Sequence, residues 1–571
     1  MKYKNKIFIL IIFIIAFLLR IYGLNWDQGN HLHPDERFLT MVSADISLPK
    51  NIFEYFNTKI SPLNPVNKNY DFYAYGTFPL LLTRSIAEFL NFTAYDQIFL
   101  VGRIVSAIFD SLTVLLVFLI SLKIFKKHKI AILGAFLYSI CIFPIQQSHF
   151  FTVDSFTVFF FTLTILLMFS KKPLLSGLIF GITLANKTSV GITLPLLLLF
   201  IFIQNKYPPA NNRQILKKYL IDGFFNCCLF FVFTIIAFRI FQPYAFDGFI
   251  KFSPNFVSNI KEAHQMITGE IDYPPNIQWK NTIPIIHPLS NLLFFGLGPV
   301  TFILLFFGTI KILKDNKLIK QPQIIALLLI SLIIFLYHSF LLAKYMRYSY
   351  PIYPIFVILA GYGLSFLSKK LFFLIISINI IIAASFLNIY NQPHSRYQSS
   401  EWICQNISTK SVLSSEIWDD SLPLFSPSCI NKSYFHQELS LFDTESSQKW
   451  TKINEQLTSI NYLILSSNRL WGSIPKVSER YPDTSNFYKN LFEGKTDFKL
   501  LKRIYSYPGF YLPFINKCVL IGPSVYPQEP NTFFEIDQNC DYPGIYFRDD
   551  AAEESFTVYD HPQVNIFIKL K

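Results

Sequence analysis

2-KYKNKIFILIIFIIAFLLRIYGLNWDQGNHLHPDERF-38 is the stretch that decides how the remaining residues are read. Three lysines (Lys2, Lys4, Lys6) precede an apolar run over 7–24, and the charged motif His33, Asp35, Glu36, Arg37 follows it closely. A helical membrane span needs roughly 20 apolar residues. A basic start before an apolar stretch also resembles a signal peptide, but no small-x-small cleavage site follows. Arg20, Tyr22 and Trp26 are expected to be interfacial anchors. The reading is a retained first span with a cytoplasmic amino terminus.

Further apolar stretches lie near 98–122, 130–147, 156–170, 173–191, 191–204, 220–240, 289–312, 323–342, 351–368 and 371–388. With the first, they predict about 11 transmembrane helices, the fifth and sixth short. The basic clusters Lys126, Lys127 and Lys129, Lys171 and Lys172, Lys217 and Lys218, Lys311 to Lys320, and Lys369 and Lys370 then all fall on the inner side. That distribution obeys the positive-inside rule. It also explains the net charge of +13 without nucleic acid, because no basic groove tracks phosphates. With 52% hydrophobic and 15% charged residues, a soluble surface is excluded.

This topology leaves an external loop over 25–97, whose segment 74–90 is interrupted by Arg84 and Glu88 and is expected to be interfacial or re-entrant. A second external loop covers 243–288. Residues 389–571 then form an extracytoplasmic soluble domain of mixed α/β character, after a membrane domain over 1–388. Alternation in 461-NYLILSS-467 and 563-QVNIFIKL-570 predicts strands. Among the seven cysteines, Cys404, Cys429, Cys518 and Cys540 fall in this tail, free to pair if it is exported or to remain thiols.

Chemistry-capable residues gather on the predicted outer side. Asp35 and Glu36 are adjacent carboxylates, one of which must hold its proton more tightly in apolar surroundings. Such a group can take a proton from an acceptor hydroxyl, although Asp near a helix start also serves as a cap. Asp154, in 149-HFFTVDSF-156, falls at the same face. Arg103, Lys187, Arg239, Lys344 and Arg347 oppose the positive-inside trend and together suggest a phosphate or pyrophosphate site, with snorkelling to headgroups as the alternative. Asp35, Glu36 and Asp154 also offer hard oxygen ligands, so a divalent metal stays open. His31, His264 and His287 follow no ligand spacing, and no Walker loop, GxGxxG or HExxH occurs.

RIYGL at 20–24, HPDERF at 33–38, GRIVSAIFD at 102–110, HFFTVDS at 149–155, ANKTS at 185–189, QPYAF at 242–246 and KYMRYSYPIYP at 344–354 together resemble bacterial polytopic GT-C glycosyltransferases of the protein mannosyltransferase and aminoarabinose transferase group. The resemblance covers about residues 7–388. It implies a mainly α-helical membrane fold in the bacterial plasma membrane, a polyprenyl-phosphate-linked sugar donor, and a protein, lipid or glycan acceptor on the outer face. It also implies that Asp35 is the base, that Asp154 is a second acidic position, and that Lys187 and Arg347 best match the carrier-phosphate residues. ANKTS departs from the usual threonine–lysine–glycine pattern. One direct displacement by a single base would invert the anomeric carbon. A secondary transporter would instead show half-to-half hydropathy symmetry, and none is visible. A scaffold displaying the tail would not need acidic and basic groups from separate spans.

Overall fold

The computed structural model describes residues 2–204, 213–528 and 532–570. Each of the eleven apolar stretches carries helix. Among the described residues, four runs are long and apolar enough to cross a membrane: Tyr95–Phe125, Leu216–Phe241, Pro322–Phe340 and Lys369–Asn406. Two more qualify as bent pairs, His128–Ser139 with Ile142–Ser148 at 55° and Ile286–Gly296 with Pro299–Lys314 at 119°. Val153–Phe169, Pro173–Asn186 and Thr188–Ile203 are shorter apolar helices. The apolar helices mark a multi-pass membrane protein, while helix length does not by itself yield a count of eleven.

Two expected anchors have other roles. Arg20 is fully buried and donates to Asp110 at 2.5 Å and to the Ala16 and Ser139 carbonyls at 3.1 and 3.0 Å. Tyr138 and Tyr350 also donate to Asp110, at 2.6 and 2.5 Å. Satisfying both charges this fully is what makes their burial tolerable. Trp26 is likewise buried and donates to the His149 carbonyl at 3.3 Å. Both side chains are enclosed by protein. Helices pack closely where small residues meet: a Cβ on Gly361 would lie 2.6 Å from the Gly134 nitrogen. The segment expected to be interfacial forms helix Thr77–Leu90, braced by the Arg84–Glu88 pair at 2.8 Å.

The carboxyl-terminal part begins with helix Ser395–Asn406 and holds two sheets. The first joins β1 (Val412–Glu416), β2 (Phe435–Leu439), β3 (Tyr462–Leu465), β4 (Phe498–Ile504) and β9 (Val564–Lys569) in the order β2-β1-β3-β9-β4. The two stretches read as strands are β3 and β9, paired antiparallel with Ile464 opposite Ile566. The second sheet orders β5 (Gly509–Tyr511), β8 (Gly544–Phe547), β6 (Cys518–Ile521) and β7 (Phe534–Asp537). Cys404–Cys429 and Cys518–Cys540 are disulfides, while Cys141, Cys227 and Cys228 are free.

Residues 553–561 wedge this domain into the helical part. Gln146 donates to the Phe556 carbonyl at 2.7 Å and to Asp560 at 3.0 Å, and Tyr390 donates to Asp560 at 2.9 Å. His561 lies between Asp560, at 2.5 Å, and Asp549, at 2.9 Å. Burial opposes its charge, but the two carboxylates outweigh it and push the imidazole up to about 10.

Candidate active site

The motif over 33–38 starts helix Pro34–Asp45. His33, not Asp35, is the cap: its Nδ1 accepts the Glu36 N–H at 3.3 Å, and Pro34 begins the helix at no cost in donors. Burial first, then Arg347 and Arg103, holds His33 well below its ordinary value, so it is neutral with the remaining proton on Nε2. Asp35 and Glu36 follow in the first turn, where the helix dipole favours carboxylates. Adjacent helical residues do not face the same way, and this pair goes to separate partners.

Glu36 turns inward and is fully buried. Arg103 donates to it at 3.0 Å through Nε and to Asp27 at 2.9 and 3.1 Å through the two Nη atoms. The guanidinium lies 4.8 Å from the Trp26 ring and 4.7 Å from that of Phe99. Two carboxylates thus share one cation. Burial raises Asp27, but Arg103 and the Leu32 N–H outweigh that and hold it low; burial of Glu36 exceeds the help from Arg103 and raises it. The second Glu36 oxygen accepts the Phe151 N–H at 2.7 Å, tying the motif to the loop that carries Asp154.

Asp35 turns outward and pairs with Arg347. Asp154, buried at the start of helix Val153–Phe169, pairs with Lys187 at 2.7 Å. Between the two pairs stands Tyr348: the Lys187 ammonium is 5.1 Å from its ring, and its neighbour Arg347 lies 4.7 Å from the Tyr345 ring. Burial pushes the Tyr348 phenol up to about 12, so it remains a donor. The structure therefore brings Asp35, Asp154, Lys187 and Arg347 into one aromatic-lined region. Arg103 stands behind it, committed to Asp27 and Glu36.

The other two cations have partners of their own, and Lys344 borders the group through Tyr345. Lys344 donates to the Leu342 carbonyl at 3.2 Å and lines a small cavity of about 20 Å³ with His338 and Tyr345. Arg239 donates to the Gly248 and Phe249 carbonyls at 2.9 and 3.1 Å and stacks on Phe246, in the same loop over 243–288, and on Phe56, in the loop over 25–97. Asp35, Glu36 and Asp154 each take a different basic partner. Among the described residues no group of three or more His, Cys, Asp or Glu side chains is placed to hold a metal ion.

The tail supplies a residue that the sequence reading did not single out. Glu553 accepts the Met346 N–H at 3.0 Å and the Ser555 N–H at 2.9 Å, while its own N–H donates to Asn291 at 3.2 Å. It thereby clamps the backbone one residue before Arg347. The acidic doublet 553–554 was visible, but nothing local linked it to residue 346. Burial pushes Glu553 up to about 7 from an ordinary 4.5, against the hydrogen bonds from Ser555 and Met346. Its folded form holds a proton that the unfolded chain releases near pH 4.5, so its contribution is complete below about 4.5 and is lost as pH rises through about 7. The shift corresponds to about 3 kcal/mol. Thermal unfolding should show the wild type losing stability relative to Glu553→Gln across that window; a constant difference would remove this titration from the account.

The apolar helices and the paired charges of this site describe a multi-pass membrane protein with a buried polar centre. Residues 93–236 match the family described as dolichyl-phosphate-mannose-protein mannosyltransferase, a stretch that contains Arg103, Asp154 and Lys187. Over that stretch the chain is similar to the mannosyltransferase type. It is similar to the Archaeoglobus fulgidus oligosaccharyltransferase in the apo form, at 13% identity over 86% of this chain and 73% of that one, with a TM-score of 0.48. ArnT from Cupriavidus metallidurans bound to undecaprenyl phosphate gives 12% identity, 82% and 94% coverage and a TM-score of 0.45. The S. cerevisiae protein O-mannosyltransferase Pmt1-Pmt2 complex bound to the sugar donor gives 16%, 43% and 35%, and 0.31. At such scores and identities these likenesses assign the chain no chemistry. No curated relative matches the chain.

Proposed function

We propose that this protein is a hexosyl-type transferase that moves a sugar from a polyprenyl-phosphate donor to an acceptor hydroxyl at the outer face of the bacterial plasma membrane. The observation that carries the reading is the pairing of Asp35 with Arg347 close to the Asp154–Lys187 pair. A donor phosphate recruits Arg347, and Lys187 supplies a second positive charge, so the leaving group meets cations where its charge develops. Losing Arg347 to the phosphate frees Asp35, whose oxygen then removes the acceptor proton. The acceptor oxygen bonds to the anomeric carbon as the bond from that carbon to the phosphate oxygen breaks, and the electron pair leaves on the phosphate. A single displacement of this kind inverts the carbon. Asp154 aims Lys187 through their ion pair.

Two disulfides support an extracytoplasmic domain over 389–571, since such bonds persist in oxidising compartments. The test supplies purified protein with a panel of labelled polyprenyl-phosphate sugars and membrane extract, and follows the label by mass spectrometry. Transfer is expected with at least one donor. Arg347→Ala and Lys187→Ala should each lower donor kcat/KM by at least about tenfold, or about 1.4 kcal/mol. No transfer from any donor, or undiminished donor use by both variants, would overturn the proposal.

A further inference from the structure

A cavity of about 250 Å³, far larger than the one beside Lys344, lies between the loops over 25–97 and 243–288. The two loops are clasped around it. Thr58 donates to the Phe246 carbonyl at 2.6 Å, the Ser61 and Tyr244 hydroxyls share a hydrogen bond at 2.8 Å, and Asn259 donates to the Asp71 carbonyl at 3.0 Å. The cavity is therefore built before any occupant arrives, which lowers the ordering cost of binding. Tyr73 forms part of its wall, and the same ring stacks at 6.1 Å on Phe38, in the helix that carries Asp35. None of Asp35, Asp154, Lys187 and Arg347 lines it, so it is distinct from the site described above.

Amides set the chemistry of this cavity. Gln242 lines it and is only 4% exposed: its Oε1 accepts the Thr77 N–H at 2.5 Å, and its NH2 group has no hydrogen-bond partner among the described residues. Asn259, 7% exposed, commits its NH2 group to the Asp71 carbonyl and leaves its Oδ1 open in the same way. Asn67, at the rim, donates to the Thr58 and Ser61 carbonyls, both at 3.0 Å, and also keeps an open Oδ1. Enclosed amide ends of this kind cost free energy until something hydrogen-bonds to them. Charge is balanced, with one cation, Lys59, and one carboxylate, Asp247, both exposed at the rim. A phosphate or sulfate would call for a surplus of cations. Tyr73, Tyr244 and Phe256 add aromatic surface. Open donors and acceptors beside aromatic carbon suit a pyranose ring, which has hydroxyls at its rim and C–H groups on its faces.

We propose that this cavity binds a neutral hexopyranose unit, at a site separate from the reaction centre proposed above. The test uses the full chain, purified in a detergent without a sugar headgroup, and the methyl pyranosides of glucose, galactose, mannose and N-acetylglucosamine. Saturation-transfer NMR reads binding of each. At least one pyranoside should bind saturably. Asn255→Trp and Lys59→Trp fill the rim from the two loops, at exposed positions that folding tolerates, and each should weaken that binding by at least about tenfold. Asp35→Asn should bind it as the wild type does. Binding by none of the four sugars would overturn the proposal, as would binding that survives both tryptophans. Loss of binding in Asp35→Asn would place the sugar at the reaction centre instead, and displacement by inorganic phosphate would make the cavity an anion site; either result also overturns it. Binding is read without turnover, so failure here is separate from failure of the proposed transfer.

Discussion

Asp35→Asn is expected to lower sugar transfer by about 10²–10⁴-fold, the range for loss of one positioned base. The substitution keeps the side-chain volume and removes the proton-accepting charge. It also releases Arg347 from its pairing with Asp35. Donor affinity should therefore hold or tighten, because the phosphate no longer competes with a carboxylate for the guanidinium. Initial rates at saturating donor, with donor binding measured separately by calorimetry, distinguish these effects. Near-wild-type transfer by the folded variant would rule out Asp35 as the base. Glu36→Gln should act on stability more than on rate, since Glu36 faces Arg103 and the Phe151 N–H.

Arg103→Met is expected to destabilise the protein by about 3–5 kcal/mol, because it strands two buried carboxylates without their cation. Asp27 and Glu36 are both fully buried, and Arg103 is the arginine that bridges them. Arg103→Lys should recover little, as an ammonium cannot reproduce the fork that reaches both acids. Thermal unfolding in detergent measures the loss. An unchanged melting temperature with weakened donor binding would return Arg103 to the phosphate site that its sequence position first suggested.

Legibility followed the range over which each interaction acts. Apolar run length located helices in every such stretch, and alternation located strands at β3 and β9, because those patterns are local. The adjacency of Asp35 and Glu36 was visible, but their division of labour came from helix geometry, which turns neighbours to different sides. Arg20 resembled an anchor because its partner Asp110 is 90 residues away. Arg103 looked like a free cation for the same reason, with Asp27 lying 76 residues earlier. Asp154 and Lys187 come from successive helices, and the structure joins them directly. Arg239 shared their predicted side of the membrane, yet it donates to Gly248 and Phe249 in the loop over 243–288. A common side does not specify a common site.

The hydrogen bond that holds the Met346 backbone comes from a glutamate 207 residues downstream. Chains are made from the amino end, and domains fold largely as units in that order. During synthesis, Lys187 and Arg347 are therefore made long before Glu553. A nascent chain carries Lys187 and Arg347 while Arg347 still lacks its fixed backbone, and only the folded tail delivers Glu553 to position 346. The backbone beside Arg347 is therefore fixed late, by a part of the chain made after it.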